Sequence, residues 1–396
     1  MISPGANPPC VAIACGGTGG HLFPGLAVAE QLKQRGCEVA LLVSPKQVDQ
    51  EAVKCARGLR VFILPAVGLQ NRNYFGFAAS FLKSLLAARR IFRRRRPDAV
   101  LAMGGFTSAP PVLVAKDMAI KTFLHESNSI PGRANRYLAR FVDEAFVGFP
   151  DTAARLRAKK ISATGTPVRA QFCLTSESQL PASHCRAQLG LDPRRPTVLV
   201  VGGSQGASGL NAMILSALPL LAEKYWQWLH FTGTNDFEKV RAAWAASGLT
   251  AVVKPFLAEM DLALGAATAS VSRAGASALA ELAAMRLPSL LVPYPVAANN
   301  HQFYNARAFE ATGAARLLEQ KGARPETLAS LLCELMENET SRASIQAALG
   351  QWHAPRAAEQ IAESMLIALA MPREGVALYG ETPPADCGPG HAKHAH

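Results

Sequence analysis

No segment of the sequence offers the roughly 20 consecutive uncharged apolar residues that a membrane-spanning helix needs, so any bilayer contact is expected to be peripheral. The eight cysteines (Cys10, Cys15, Cys37, Cys55, Cys173, Cys185, Cys333 and Cys387) include no C-x-x-C pair and have no companion histidine at zinc-ligand spacing. Neither a redox motif nor a metal site is therefore indicated, and free thiols in a reducing cytoplasm fit best. The opening MISPGANPPC lacks a basic n-region, and the VAIAC after it is too short for a signal-peptide core, so no export is expected. No G-K-[ST] triplet occurs, which argues against an ordinary P-loop NTPase. Acidic residues are scarce beside basic ones: 29 Asp and Glu face 41 Lys and Arg, a net charge of +12. That excess suits phosphate-bearing partners, whether nucleotides, nucleic acids or anionic lipid headgroups. Part of it lies in Arg89, Arg90, Arg93, Arg94, Arg95 and Arg96, a run that a solvated face would also explain.

What is present points to an α/β chain of two domains. With 396 residues, 49% of them hydrophobic, the chain exceeds the usual size of one domain and can bury a substantial core. Short aliphatic runs alternate with longer helical patterns: VAIAC (11–15), EVALLV (38–43), DAVLAM (98–103), KTFLHE (121–126), EAFVGF (144–149) and ISATG (161–165). A second series runs from TVLVVGG (197–203) to PSLLVPY (288–294). The alternation predicts parallel sheets covered by helices, with the first helix over about 24–35 and the last around 355–370. Both series open with a strand feeding a glycine-rich turn and a helix, GGTGGHLFPG (16–25) and GGSQGASGLN (202–211). The reading is two Rossmann-like domains facing a central cleft, over 1–165 and 166–351. A last helix, 352–371, crosses back onto the first domain, and a disordered Gly-, Pro- and His-rich tail covers 372–396.

An open α/β sheet binds its ligand at the carboxyl ends of its strands. There a strand, glycine turn and helix offer backbone N–H groups and a positive helix end to an anion. The dinucleotide fingerprint fails: G-x-G at Gly17 and Gly19 leaves Leu22 where the third glycine belongs, and the second strand ends in Val43-Ser44 instead of an acid. A third segment, SRAGASALAELAAMRLPSLLVPY (272–294), puts Gly275 and Ser277 ahead of an alanine-rich helix carrying Glu281. Such a helix start can cradle a pyrophosphate while the carboxylate accepts from ribose hydroxyls; a plain N-cap and a solvated acid are the bland alternative. Asn300, His301 and Gln302 form an uncharged hydrogen-bonding cluster suited to sugar hydroxyls. His21 closes the first glycine turn, where a neutral imidazole could take a proton from an attacking hydroxyl; a structural histidine is the alternative.

Seven segments, GGTGGHLFPGLAVAEQL (16–32), MGGFTS (103–108), HESNSIPGRANRYLAR (125–140), GTPVR (165–169), GGSQGASGLN (202–211), 272–294 and NNHQFYNA (299–306), stand in order as in one known family. The chain resembles glycosyltransferase family 28 over about residues 10 to 370. Within that family it is similar to the lipid-acceptor N-acetylglucosaminyltransferases of peptidoglycan synthesis. Thr166 and Phe106 depart from the usual Asn and Tyr. The resemblance implies an inverting transferase of GT-B fold with no cofactor, taking UDP-N-acetylglucosamine (UDP-GlcNAc) as donor and undecaprenyl-diphospho-muramyl-pentapeptide (lipid I) as acceptor. It further implies that Ser204, Arg169, Gly275, Ala276 and Ser277 meet the donor diphosphate, Glu281 the ribose and backbone near Leu257 the uracil. Thr18, Gly19, Gly20, Asn128 and Gln302 would line the sugar and reaction site, and Ala278, Leu279 and Ala280 join the substrate-binding set. His21 and Glu281 are the catalytic candidates. The implied place is the cytoplasmic face of a bacterial inner membrane, with other cell-wall synthesis proteins as further partners.

The segment NRNYFGFAASFLKSLLAARRIFRRRR (71–96) combines Phe75, Phe77, Phe81, Leu82, Leu85 and Leu86 with a basic end. That pairing suits an anionic bilayer surface, to which Arg136 and Arg140 would add; inward packing of Leu82 and Leu86 is the competing reading. A transferase acting on diacylglycerol would share the fold and donor site, but segments 16–32 and 125–140 favour the muramyl lipid. A non-enzymatic nucleotide-binding module would not need His21 and a second polar cluster. Nucleic acid accounts for the charge but not the motifs, and none is expected as a partner.

Overall fold

The computed structural model describes residues 8–16, 19–45, 58–66, 74–173, 180–203 and 206–370. The first half builds strands β1 (Cys10–Ala14), β2 (Glu38–Val43), β3 (Arg60–Ile63), β4 (Ala99–Ala102), β5 (Lys121–Glu126), β6 (Glu144–Val147) and β7 (Ile161–Ala163). They lie side by side in the order β3-β2-β1-β4-β5-β6-β7, every pair parallel. Helices α1 (Gly19–Gln34), α2 (Tyr74–Arg94), α3 (Ala109–Asp117) and α4 (Arg133–Leu138) connect them. Short aliphatic strands suit this arrangement because both faces of a crossover-connected parallel sheet are covered. In β1, Val11 and Ile13 enter one core while Ala12 and Ala14 enter the other.

The second half repeats the plan with β8 (Thr197–Val201), β9 (Gln227–Phe231), β10 (Ala251–Lys254), β11 (Ala269–Ser272), β12 (Ser289–Leu291) and β13 (Arg316–Leu317). Their order is β10-β9-β8-β11-β12-β13, again parallel throughout. Its helices are α5 (Ala182–Gln188), α6 (Ser208–Ala217), α7 (Phe237–Ser247), α8 (Met260–Ala266), α9 (Ala276–Ala284), α10 (His301–Ala311), α11 (Pro325–Glu337) and α12 (Glu339–Trp352). The strand order reverses between β1 and β4 and between β8 and β11, so each sheet opens a crevice there, beyond its strands' carboxyl ends.

The first helix starts earlier than the sequence suggests. Pro24 reads as a first-turn residue, yet α1 begins at Gly19 and carries Pro24 buried inside it. Proline costs a helix its i to i−4 hydrogen bond, and the carbonyl deprived here is that of Gly20.

The final helix, α13 (Ala357–Ala370), returns to the first sheet, where Ala358, Ile361, Ala362 and Met365 join the core containing Leu22, Leu26 and Ala29. Arg35 pairs with Glu359 and Glu363 alongside. Burial of Ile361 and Met365 contributes about 1.5–3 kcal/mol each, against ~1 kcal/mol or less for a part-exposed ion pair, so packing holds this helix. Phe149, just after β6, enters the second core instead, its ring beside those of Phe309 and Trp352. Among the described residues no helix is long and apolar enough to cross a membrane. The expected tail lies outside the described residues.

Candidate active site

Both sheets present their switch points to one cleft, and the sequence's candidate residues gather there. After β1 the chain passes Gly16 and enters α1, whose third residue is His21. After β4, on the other side of the switch point, come Gly104 and Gly105 at φ +107° and +77°, a region that favours glycine. A Cβ on Gly104 would stand 3.1 Å from His21 Cδ2 and Nε2, and one on Gly105 would stand 3.1 Å from its Cε1. The imidazole therefore lies flat against two bare glycines. Ser108, at the head of α3, fastens this turn by donating its hydroxyl to a buried carbonyl, that of Gly104 or Ala14, and accepting from Gly104 N–H.

Beside this seat, the buried side chain of Glu126 ends β5 and accepts four N–H bonds. Its Oε1 receives the backbone N–H and Nδ2 of Asn128, and its Oε2 receives Gly132 N–H and Asn135 Nδ2, at 2.8–3.1 Å. The network gives the turn after β5 one conformation and holds Asn128 facing the second half. His125, also buried, lies behind it. Its Nε2 donates to Gly165 O at 3.0 Å and its Nδ1 accepts from Ser127 Oγ at 3.2 Å. Burial pushes its pKa down to about 4, so the ring is neutral at physiological pH.

Across the cleft, Gly275 is the N-cap of α9, whose first turn meets the first half through Ser277. A Cβ on Gly275 would meet no atom within 4 Å, so protein packing does not require glycine there. Ser277 Oγ donates to Gly20 O at 2.9 Å, the very carbonyl that Pro24 leaves without a helical partner. Leu279 is 1% exposed, its side chain in the core and its N–H spent on Gly275 O. Anion contact at this helix start thus falls to the backbone of Ala276, Ser277 and Ala278.

Glu281, one turn further, stands 3.6 Å from Arg169 Nη2, with 15% of each side chain exposed. Burial raises the Glu281 pKa to about 7, only partly offset by the guanidinium. Arg169 itself lies between the rings of Phe23 and Phe172, 4.6 and 5.0 Å from their centroids, and its buried Nε has no partner among the described residues. One cation therefore touches α1 of the first half and α9 of the second.

Gln302, in the first turn of α10, accepts Tyr294 N–H through Oε1 at 3.0 Å. Asn299 and Asn300 ahead of it are both left-handed, φ +54° and +52°, which turns the chain into this helix; Asn tolerates that region better than most residues. His301 is spent locally, its Nδ1 donating to Ala298 O. Leu257 follows β10 at the sheet's edge, half-buried against the second core. Thr18 and Ser204 lie outside the described residues.

The structure thus brings His21, Gly20, Ser277, Arg169, Glu281, Asn128 and Gln302 to one cleft. Sequence reasoning missed Glu126, Asn135, Asn305 and the ring pair around Arg169. An acid closing the otherwise apolar strand KTFLHE was the available signal for Glu126.

Known proteins share this architecture. Residues 11–147 match the glycosyltransferase family 28 N-terminal domain and residues 197–361 the family 28 C-terminal domain. A protein of Anaeromyxobacter sp. (strain Fw109-5), named UDP-N-acetylglucosamine--N-acetylmuramyl-(pentapeptide) pyrophosphoryl-undecaprenol N-acetylglucosamine transferase, is 37% identical over 358 residues. That alignment covers 89% of this chain and 91% of the relative. A protein of the same name from Lactiplantibacillus plantarum is 34% identical over 364 residues, 88% of this chain and 96% of the relative. The crystal structure of Acinetobacter baumannii MurG superposes with a TM-score of 0.71 at 28% identity, covering 91% of this chain and all of that one. The calicheamicin glycosyltransferase CalG4, at 16% identity and a TM-score of 0.64, shares the GT-B fold. The chain belongs to glycosyltransferase family 28, in the group of N-acetylglucosamine transferases to which these relatives belong.

Proposed function

We propose that this protein transfers N-acetylglucosamine from UDP-GlcNAc to the muramyl 4-hydroxyl of lipid I, with inversion, giving the lipid II used to build peptidoglycan. The observation that carries the reading is the meeting of two switch points: His21 seated on Gly104 and Gly105 faces the start of α9, where Ser277 already reaches Gly20. On this reading the donor lies on the second half, residues 166–351. Its diphosphate takes the first-turn N–H groups of α9 and the Arg169 guanidinium, and its ribose takes Glu281. Helix dipole and guanidinium together stabilise charge on the leaving UDP. This positive charge is the expected electrophilic help on the leaving UDP.

The acceptor lies on the first half, residues 1–165 with helix 352–371. His21 takes the proton from its hydroxyl as the oxygen attacks the anomeric carbon from the face opposite UDP. Asn128 and Gln302 bound the sugar site from either side. Peripheral attachment at an anionic membrane surface would bring the lipid tail to this half, through the exposed face of α2 and the arginines of α4. Arg133, Arg136, Tyr137 and Arg140 line a cavity of about 220 Å³ there.

The test is transfer of labelled N-acetylglucosamine from UDP-GlcNAc to a short-chain lipid I analogue in the presence of EDTA. Wild type is expected to form product, His21→Ala to lose on the order of 100-fold or more in kcat, and Glu281→Ala to raise the KM for donor. An inactive wild type that still binds UDP-GlcNAc would mean a different acceptor; activity only with Mg²⁺ would overturn the account of the leaving group.

A further inference from the structure

Asn305 is an uncharged side chain with no exposure at all, placed where the two halves meet. Its Nδ2 donates to Asn128 Oδ1 at 3.0 Å, in the first half, and to Ala274 O at 3.1 Å, in the turn leading to α9. Its Oδ1 accepts Ser129 N–H at 2.9 Å. Both amide protons and the amide oxygen are therefore engaged, two of the three bonds crossing between halves. Gln302, Asn305 and Phe309 follow one another at i, i+3 and i+7 and so share one face of α10. That face starts at the cleft with Gln302, passes the crossing with Asn305, and ends with Phe309 stacked 4.3 Å from Trp352 and beside Phe149.

On the first-half side, Asn128 is tied to Glu126, and Glu126 to Asn135. Asn135 Nδ2 would lie 3.1 Å from a Cβ on Gly104, as does the His21 ring. On the second-half side, Ala274 is next to Gly275, the N-cap of α9. A short chain of hydrogen bonds therefore runs from Asn135, packed beside the turn that seats His21, to the helix start that faces it, and among the described residues Asn305 is the link in it borne on α10. The neighbouring bridge, Ser277 to Gly20, joins groups that the donor diphosphate is expected to engage, so it cannot hold the register once donor is bound.

We propose that Asn305 is a positioning residue for the transfer, fixing the register of the loop carrying Asn128 against the start of α9 so that acceptor hydroxyl and donor carbon meet in line. This rests on the transferase reading given above. A displacement of about 1 Å between reacting groups costs on the order of 100-fold in rate, whereas donor bound on the second half alone does not sense that register.

The experiment compares wild type with Asn305→Leu, which keeps the shape and removes all three bonds, and with the smaller, polar Asn305→Ser. Three quantities are read: kcat for transfer to the short-chain acceptor, UDP affinity and stoichiometry by calorimetry, and small-angle scattering of the UDP-bound protein. Expected are one UDP per chain with Kd within about threefold of wild type, kcat lower by at least tenfold, about 1.4 kcal/mol, and a broadened interdomain distance distribution. The proposal is overturned by kcat within twofold of wild type in a variant that binds UDP normally. It is equally overturned if kcat and UDP stoichiometry fall in parallel in both variants, since Asn305 would then serve only the folding of the second half. Should wild type itself transfer nothing, the transferase reading fails, and the scattering comparison still decides whether Asn305 sets the register.

Discussion

A methyl group at Gly105 tests the seat of the proposed base while leaving His21 itself unsubstituted. The residue sits at φ +77°, so alanine there carries backbone strain of about 1–2 kcal/mol, and its Cβ would press on the His21 ring at 3.1 Å. Gly105→Ala is expected to fold, to melt a few degrees lower, and to lose on the order of 100-fold in kcat as the imidazole leaves its place. Donor affinity should not change; an unchanged kcat in a folded Gly105→Ala protein would mean that His21 does not act from this seat. At this scale, Ser277, Arg169, Glu281 and Gln302 were legible because their motifs put polar groups at helix starts, and the structure gathers them in one cleft. Asn305 was not, since it acts through bonds to residues far along the chain, Asn128 being 177 positions away, and nothing in a local pattern records such a partner. The Glu126 carboxylate bonds only within nine residues of itself, but the turn geometry that aims four N–H groups at it is not written in the residue types. The bare backbone that accommodates His21 was likewise hidden: MGGFTS shows two glycines but not which side chain they face.

The helix over Tyr74–Arg94 packs inward along one face only, and Leu82 and Leu86, the residues for which inward packing was the competing reading, are not on that face. Ser84, Ala88 and Phe92, four residues apart, face inward and are buried, whereas Phe75, Leu82 and Leu86 are 93%, 57% and 60% exposed. At 100° per residue Phe75, Leu82, Leu86 and Arg93 fall along one outward line. The arginine run is not uniform: Arg95 is paired with Glu38, Arg89 with Asp117, and Arg96 donates to Met118 O. Among the described residues, Arg90, Arg93 and Arg94 pair with no carboxylate. Serine at Phe75, Leu82 and Leu86 together is therefore expected to weaken binding to vesicles containing anionic lipid by at least tenfold, because each large apolar side chain is worth about 1.5–3 kcal/mol when buried. Reversing Arg93 and Arg94 should weaken it further and make it less sensitive to salt, about 1 kcal/mol per charge. Retention of full vesicle binding by the triple serine variant in a co-sedimentation assay would remove α2 from the membrane contact. Alternation of aliphatic runs with helical patterns made the parallel sheets and their glycine turns readable. The start of α1 was not, because proline normally marks a first turn, and here its missing N–H serves instead to leave Gly20 O open to Ser277.

Three buried groups set opposing pH dependences for the molecule as a whole. His125 in the first half and His230 in the second are held neutral by burial, with pKa values down to about 4 and about 3 from 6.5. Between pH 6.5 and about 4.5 the unfolded chain binds both of those protons and the folded one does not, so these histidines cost stability as pH falls. Glu281 works the other way. Its pKa is raised from 4.5 to about 7, so the folded protein holds a proton there that the unfolded chain has released, and acidification favours folding. Two histidines against one carboxyl, with the pKa of His353 also lowered by burial, leave the unfolded chain binding at least about one proton more in this window, a loss of roughly 1.4 kcal/mol or more per pH unit on acidification. The balance predicts a melting temperature that falls from pH 6.5 to 4.5, and it predicts how variants shift the slope. Glu281→Gln removes the opposing contribution, so its melting temperature should depend on pH more steeply than that of wild type, and it should gain on wild type as pH rises toward 8. His230→Gln should flatten the dependence, because Gln can still accept from Trp244 or donate to Asn211, the two partners that hold the imidazole. Calorimetric scans at half-unit intervals separate these slopes; a Glu281→Gln curve parallel to wild type would mean that this carboxyl is already ionised in the folded cleft at pH 6, and that burial beside Arg169 does not govern it.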